Sequence, residues 1–238
     1  MSDLLTEAVE AHGGLERWKK FGVLEASLSV GGGIWHLKQQ PGLFDKVLFE
    51  IDLQQERVTV DGFAGNARLF FTPDRLRLET RDGTPIESRD NPRDAFAGHV
   101  GDTPWDRLHA GYFCSYALWT YLSSPFLYTR KGFETEEIDP WNEDGETWRR
   151  LKVTFPPSVA SHSRVQVTHF GPDGLMRRHD YSVDVMGGAT GANYTSNYRE
   201  FQGIKVPTTR RVYAYDQNLK KVPEPTLVTI DIDKVTLR

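Results

Sequence analysis

Midway along the chain stands the segment "TPWDRLHAGYFCSYALWTYLSSPF", residues 103–126, between two long runs of alternating apolar and polar residues. Its spacing predicts a helix that Thr103 and Pro104 begin. Large side chains cover more than half of the circumference, whereas a surface helix carries one apolar stripe. They are Trp105, Leu108, Tyr112, Phe113, Tyr116, Leu118, Trp119 and Leu122. The helix is too short and too polar to cross a bilayer. We therefore expect it to be buried on several sides or to close over a cavity.

From Val23 onward, apolar and polar residues alternate with the period of a β-strand. The segments before the helix are residues 23–30, 34–40, 46–53, 56–63, 67–72 and 75–80. Those after it are residues 146–155, 163–170, 175–185, 192–201, 203–215 and 225–237. Short turns rich in Gly, Pro, Asn and Asp separate them, as in an antiparallel meander. The pattern predicts a mainly β protein with α-helices: a large curved antiparallel sheet or incomplete barrel, with a helical insertion near its middle.

The N-terminal helix is predicted to begin at Ser2 or Asp3 and to end at Gly13 and Gly14. His12 in its last turn is favoured by the helix dipole, so we interpret it as a structural residue rather than a base. A further short helix is expected to begin at Pro92. With no repeat or linker, the chain is expected to be one domain, 1–238. Its parts are N-terminal helices (1–21), a first meander (23–90), a helical plug (91–124) and a second meander (133–238).

Composition narrows the class of function. The formal charge is −4, from 33 acidic and 29 basic residues without a basic block, so we expect no nucleic-acid partner. The single cysteine, Cys114, excludes an internal disulfide framework and fits a reducing compartment. The N-terminus carries acidic residues where a signal peptide would be basic and then apolar, so a cytoplasmic location without a membrane span is expected. No motif for a cofactor appears, and we expect none.

Aromatic residues make up 12% of the chain, and several share strand faces with hydrogen-bonding groups. Such faces suit an amphipathic or ring-containing ligand. The predicted ligand-binding residues are Trp35, His36, Phe49, Trp105, His109, Tyr112, Tyr116, Trp119, Tyr181 and Tyr198. The alternative is that these rings simply fill the core of a large sheet.

Catalytic chemistry has one main candidate, His179 with Tyr181 as a donor in "RRHDYSVDV", residues 177–185. On a strand both would share a face with Arg177, while Arg178 and Asp180 would point the other way. A second cluster near the helix start comprises His99, Asp102, Asp106 and His109. It lacks the His-x-x-x-His pair of a zinc helix, and Asp102 or Thr103 is better explained as a cap, so no metal is predicted.

Two motifs resemble a known family. "AVEAHGGLERWKKF", residues 8–21, precedes the first strand, and "NYREFQGIKVPTTRRVY", residues 197–213, lies near the end. Together with the meander and the mid-chain helix, they resemble the LolA/LolB-like group of bacterial lipoprotein carriers and their uncharacterised relatives. The resemblance implies an unclosed β-barrel whose open side is plugged by the N-terminal helix and the mid-chain helices. It also implies a hydrophobic cavity for acyl chains or another apolar ligand. Without an export signal or a lipobox cysteine, the chain is expected to be a cytoplasmic branch of this group.

The leading hypothesis is therefore binding of a hydrophobic or aromatic small molecule, lipid-like or polyketide-like, between the sheet and the aromatic helix. The first alternative is a cofactor-independent isomerase, cyclase, lyase or hydrolase that uses His179 and Tyr181 with help from His36 or His109. The second is a protein-binding sheet with a filled core. The oligomeric state is not determined by the sequence.

Overall fold

A computed structural model describes residues 3–238, so Ser2, one of the two predicted caps, lies outside the described residues. The α-helices are α1 (Asp3–Ala11), α2 (Leu15–Trp18), α3 (Gly33–Leu37) and α4 (Arg107–Ser123). Short 3-10 helices span Asp94–Phe96, Phe126–Thr129 and Asp184–Met186. The helix predicted to begin at Pro92 is therefore only the short 3-10 helix Asp94–Phe96.

The strands of the first meander are β1 (Val23–Gly31), β2 (Val47–Asp52), β3 (Val58–Phe63), β4 (Ala67–Thr72), β5 (Arg75–Thr80) and β6 (Pro85–Asp90). Those of the second are β7 (Glu134–Glu143), β8 (Glu146–Thr154), β9 (Val165–Phe170), β10 (Met176–Val183), β11 (Ala189–Phe201), β12 (Ile204–Tyr213) and β13 (Val228–Leu237). All belong to one 13-stranded sheet, whose order is β6-β5-β4-β3-β2-β1-β13-β12-β11-β10-β9-β8-β7. The predicted fold class, an unclosed antiparallel sheet with helices, is confirmed.

Pairing of the first strand with the last joins the two meanders. Leu24 lies opposite Leu237, and Val30 lies opposite Ile230. Alternate residues of β1 are buried, because one face of the strand packs on the core. Each meander therefore forms one half of the curved sheet, and only β6 and β7 are left as edges.

Helix α4 fills the concave side of the sheet. Every residue from Leu108 to Ser123 is buried, as the all-round apolar pattern predicts. The helix begins later than expected, because Asp106 rather than Asp102, Thr103 or Pro104 caps it. The Asp106 carboxylate accepts a hydrogen bond from the main-chain N–H of His109 at 2.8 Å, and the Asp106 N–H donates to Nδ1 of that histidine at 3.3 Å. This reciprocal pair satisfies two N–H groups at the helix start.

The predicted strand 34–40 is wrong, since this segment contains α3. Ile34 and Trp35 are adjacent and both buried, which suits a helix better than a strand. The N–H of Gly33 donates to Thr226 O, and the N–H of Ile34 donates to Leu227 O, so the helix is held on the segment before β13. Trp35 and Leu37 therefore do not share a strand face.

The two edge strands, β6 and β7, were not among the predicted strands, although Asp82-Gly83 is a hairpin signal. Neither has a clean apolar alternation, because edge strands protect themselves from further pairing with charge and proline. Strand β7 reads "ETEEIDPWNE" and is nowhere fully buried. Its register with β8 shifts between Ile138 and Trp141, around Pro140.

Helix α1 buries Leu4, Leu5, Ala8 and Val9, as predicted. The ring of His12 is buried, and its Nδ1 lies 2.7 Å from Ala8 O. Burial lowers the pKa of His12 to about 4, so the imidazole is neutral and Nδ1 donates this bond. The structural interpretation of this histidine agrees with its position.

Candidate functional site

A cleft of about 640 Å³ opens at the rim of the half-barrel. Its walls are formed by the turn between β4 and β5, the segment before α4 and the loop between β8 and β9. The cleft therefore lies between the two halves of the sheet. Lining residues include Pro73, Asn91, Arg93, Tyr112, Phe155, Ala160, Ser161, Ser163 and Asp184. The volume falls within the usual range for a small-molecule site.

Arg93 and Tyr112 give the cleft a polar wall beside aromatic area. The Arg93 guanidinium donates to Ser161 O at 3.1 Å and to the Asp184 carboxylate at 3.3 Å. The ring of Tyr112, on α4, packs on Phe71 at 5.7 Å between centroids. Burial raises the pKa of Tyr112, although Arg93 opposes the shift. Its phenol is therefore a neutral group beside a cation.

The loop that carries Ala160 is held by a buried carboxyl. Glu56 Oε2 lies 2.9 Å from the Ala160 N–H, which donates to it. Glu56 Oε1 is buried without a hydrogen-bond partner in the described chain. Burial raises the pKa of Glu56 to about 8, so this group is protonated at neutral pH.

Behind the cleft, a chain of hydrogen bonds joins α4 to the concave face of the sheet. His162 Nδ1 lies 3.1 Å from the Tyr116 hydroxyl, and its Nε2 lies 2.7 Å from the Tyr121 hydroxyl. The Tyr121 hydroxyl donates to the Tyr181 hydroxyl at 2.5 Å. Because that bond uses the only proton of Tyr121, His162 donates from Nε2 and accepts at Nδ1 from Tyr116. The chain is consistent with neutral His162, whose pKa burial lowers well below its ordinary value.

His179 and Tyr181 lie together on the concave face, as predicted, with ring centroids 5.3 Å apart. His179 is 1% exposed. Burial lowers its pKa to about 3, and burial raises the pKa of Tyr181. Both groups are neutral near pH 7 and neither titrates there, which does not suit a general acid and base at that pH.

Arg177 does not share that face. The register between β10 and β9 shifts between Met176 and Arg178, and this bulge turns the Arg177 side chain away. It instead forms ion pairs with Glu146 at 3.1 Å and Asp173 at 3.0 Å. Arg178 and Asp180 lie on the convex face, as predicted, and form an ion pair at 2.6 Å.

Next to His179, the concave face carries two further polar side chains that are as deeply buried. Asn193 on β11 is 0% exposed and lies directly opposite His179, while Arg210 on β12 is 2% exposed. Arg210 pairs with Thr195, two residues from Asn193 on the same face of β11. The buried atoms without a partner within residues 3–238 include His179 Nε2, both side-chain polar atoms of Asn193, and Nε and Nη1 of Arg210. We call His179, Asn193 and Arg210 the concave polar cluster.

The other residues predicted to bind a ligand are distributed over the molecule. Trp35 packs on Phe44, with ring centroids 5.1 Å apart, and lines a second cleft with the exposed His36. The volume of that second cleft is about 390 Å³. Phe49 lies in the core of the first half-sheet.

The remaining four are each held by a structural contact. Trp105 packs on Phe96 and Phe113. His109 belongs to the helix cap, and its Nε2 lies 3.0 Å from Ala95 O. Trp119 donates to Asp52 O at 2.9 Å, and Tyr198 donates to Met176 O at 2.9 Å. Of the predicted set, only Tyr112 lines the cleft of about 640 Å³, while Tyr116 and Tyr181 belong to the network behind it.

Four residues of the site are not among the predicted catalytic or ligand-binding residues: His162, Tyr121, Asn193 and Arg210. Tyr121 lies in the aromatic helix, and Arg210 occupies an inward position of an alternating strand, which was an available signal. An arginine on the apolar face of a strand is rarely buried without a reason. In the cluster considered near α4, the rings of His99 and His109 pack at 4.9 Å between centroids and Asp106 contacts His109 at 2.8 Å. Residues 3–238 nevertheless contain no group of three or more His, Cys, Asp or Glu placed to hold a metal ion.

Comparison with known proteins supports the fold. No protein-family model and no curated protein matches the chain. Among solved structures, a DUF1329 family protein from Desulfovibrio piger superposes with a TM-score of 0.55 at 13% identity, covering 99% of this chain and 94% of that one. A structure described as an outer membrane lipoprotein-sorting protein domain, from Vibrio parahaemolyticus, superposes with a TM-score of 0.51 at 11% identity. It covers 96% of this chain and 93% of that one.

A LolA superfamily protein from Nitrosomonas europaea gives a TM-score of 0.49 at 9% identity, covering 94% of this chain and 91% of that one. The chain therefore shares the fold of the first two of these structures, a half-barrel of the kind that the resemblance in the sequence implied. At these identities the likeness concerns the fold. No helix within the described part of the chain has the length and hydropathy to span a bilayer.

Proposed function

We propose that this protein binds a small amphipathic molecule between α4 and the concave face of the sheet, with the rim cleft as its access. The observation that carries the proposal is the concave polar cluster, in which five buried hydrogen-bonding atoms have no partner in the described chain: His179 Nε2, both polar atoms of the Asn193 amide, and Nε and Nη1 of Arg210. Native proteins leave few such groups, because each unpaired one costs about 1–3 kcal/mol. A bound molecule with polar atoms would satisfy them.

A continuous row of ring contacts joins the cleft to the cluster. Tyr112 of the cleft contacts Tyr116 at 5.2 Å between centroids, and Tyr116 contacts His162 at 5.1 Å. His162 stacks on Tyr181 at 4.0 Å, and Tyr181 meets His179. Such rings offer apolar area along their faces and hydroxyls at their tips, which suits an amphipathic ligand. The half-barrel fold provides the curved sheet that such a site needs.

The acid–base alternative, with His179 and Tyr181, is less well supported because both groups are neutral and far from titrating at pH 7. We therefore propose binding rather than turnover. In this proposal, residues 1–238 act as one domain in the cytoplasm. The ligand is bound without a cofactor, a nucleic acid or a metal ion.

Native mass spectrometry of freshly purified protein, followed by denaturing extraction, tests this proposal. We expect a stoichiometric small amphipathic molecule, or saturable binding when such compounds are added. Ser158→Trp, which places an indole in the cleft, should slow or prevent loading. Ser196→Trp, at an exposed position of β11, is the matched control and should load normally. Protein that is empty as purified and binds no added amphiphile would refute the proposal.

A further inference from the structure

The guanidinium of Arg210 is a buried charge without a counter-ion. Its Nη2 donates to Tyr121 O at 2.9 Å, and its Cζ lies 5.0 Å from the centre of the Tyr121 ring. No carboxylate pairs with it anywhere in residues 3–238, and Nε and Nη1 have no partner. Burial lowers the pKa of Arg210, and the groups that oppose this shift are the hydroxyls of Tyr198, Tyr121, Tyr128 and Tyr181.

The guanidinium cannot become neutral by losing its proton, because the pKa of arginine stays too high in any protein environment. Burying a lone ion is among the most costly arrangements in a protein, and native structures normally pair such a group. Burial and, beyond it, the charge of Arg210 lower the pKa of His12 and of His179, so both imidazoles stay neutral and neither supplies a compensating charge. The surroundings of Arg210 therefore lack one negative charge.

The unpaired donors of the cluster converge on one face. Nε of Arg210 carries one N–H bond and Nη1 carries two, and the amide of Asn193 supplies further donors. Arg210 lies opposite Thr195, and Asn193 lies two residues from Thr195 along β11. Long side chains on neighbouring strands can span this diagonal separation. Nε2 of His179 faces the same side from β10. Three adjacent strands thus present hydrogen-bonding atoms around one cation.

We infer that the concave polar cluster binds the anionic headgroup, of carboxylate type, of the amphipathic ligand, with Arg210 as the counter-ion and Asn193 and His179 as hydrogen-bonding partners. This inference rests on the proposed function and adds the chemistry of the headgroup. A charge-assisted hydrogen bond in a buried site contributes more than a neutral one, so the charge should dominate discrimination. The apolar part of the ligand then lies along the ring row towards the cleft.

The test compares dodecanoate with 1-dodecanol, which share the chain and differ in the charge of the headgroup, by calorimetric titration into delipidated full-length protein. We expect dodecanoate to bind at least about tenfold more tightly than the alcohol. Arg210→Met should abolish that preference, and Arg210→Lys should retain part of it. Arg211→Met is the matched control, because Arg211 lies next in sequence on the opposite face, where it pairs with Asp231 at 2.7 Å.

Acetate separates a headgroup site from a site for free anions. If acetate alone shifts the Asn193 side-chain amide resonance in wild type but not in Arg210→Met, the anion chemistry is supported without the chain. Equal binding of dodecanoate and dodecanol by wild type, unchanged in Arg210→Met, would overturn the headgroup inference and leave the proposed function standing. Failure of both compounds to bind, with nothing extracted from the purified protein, would overturn both.

Discussion

Arg210 on β12 donates to the main-chain oxygen of Tyr121 on α4 at 2.9 Å, and so a charged side chain joins the sheet to the helix that fills it. The same guanidinium has three N–H bonds on Nε and Nη1 that reach no partner in the described residues. This arrangement stabilises one contact while it leaves a buried charge uncompensated. A residue kept for stability alone would not be placed in this way.

The first prediction concerns the stability of ligand-free protein. Arg210→Met should raise the free energy of unfolding by about 1 kcal/mol or more, because an apolar side chain replaces an unpaired buried charge. Arg211→Met should leave it unchanged or lower it slightly, since it removes an exposed ion pair. Urea unfolding of delipidated protein measures both. A marked loss of stability in Arg210→Met would indicate a structural role for the charge.

The second prediction concerns Glu56, whose pKa burial raises from 4.5 to about 8. Between these values the unfolded chain loses the proton while the folded protein keeps it, so stability falls as pH rises. The free energy of unfolding should fall by about 1.4 kcal/mol per pH unit in this range. Glu56→Gln should remove this fall, whereas Glu134→Gln on the exposed edge of β7 should not. Urea unfolding at several pH values from 5 to 9 provides the comparison, and parallel curves for wild type and Glu56→Gln would contradict the prediction.

The third prediction concerns acid. Burial lowers the pKa of His12 from 6.5 to about 4, so the unfolded chain takes up a proton in this range and the folded protein does not. The stability that His12 contributes is complete above about pH 6.5 and is lost as pH falls to 4. His12→Asn keeps a donor for Ala8 O and should reduce this acid sensitivity; His36→Asn, at an exposed position, should not. A His12 ring resonance that titrates near pH 6.5 in the folded protein would be the contrary result.

The fourth prediction concerns the glycine pair after His12. Gly13 has φ of +123°, and an added Cβ would collide with Gly203 O in the turn between β11 and β12. Gly13→Ala should therefore lower stability by about 3 kcal/mol or more, through strain and steric overlap together. Gly145→Ala has φ of +80° but open space around it, and should cost only about 1 kcal/mol. Thermal unfolding of the two variants isolates the steric part, and equal losses would show that Gly203 moves aside freely.

Much of the fold was predictable because its signals are local. The alternation of β1 predicts a strand with one buried face, and the all-round apolar pattern of residues 103–126 predicts the buried helix. Prediction failed where a tertiary contact overrides a weak pattern. Residues 34–40 alternate like a strand, yet Gly33–Leu37 form a helix whose first N–H groups, those of Gly33 and Ile34, donate to the segment before β13.

The candidate site was predictable only in part. His179 and Tyr181 lie two residues apart on one strand, so strand geometry alone places them on one face. His162 reaches the same place from the loop before β9, and Tyr121 reaches it from α4. No local pattern links residues so far apart in sequence, so the network could not be read from any one segment.

By itself, the sequence determined the half-barrel: alternating strands, a helix apolar on all sides and a glycine pair that ends α1 are each dictated by short-range sterics and burial. Only the tertiary structure decided that His179, Asn193 and Arg210 lie together with hydrogen-bonding atoms that have no partner in residues 3–238. Their meeting depends on the register of β10, β11 and β12, and on which side chains α4 presents to them. Register and packing are properties of the assembled sheet, because each strand's own pattern fixes the face of a residue but not its neighbour across the strands.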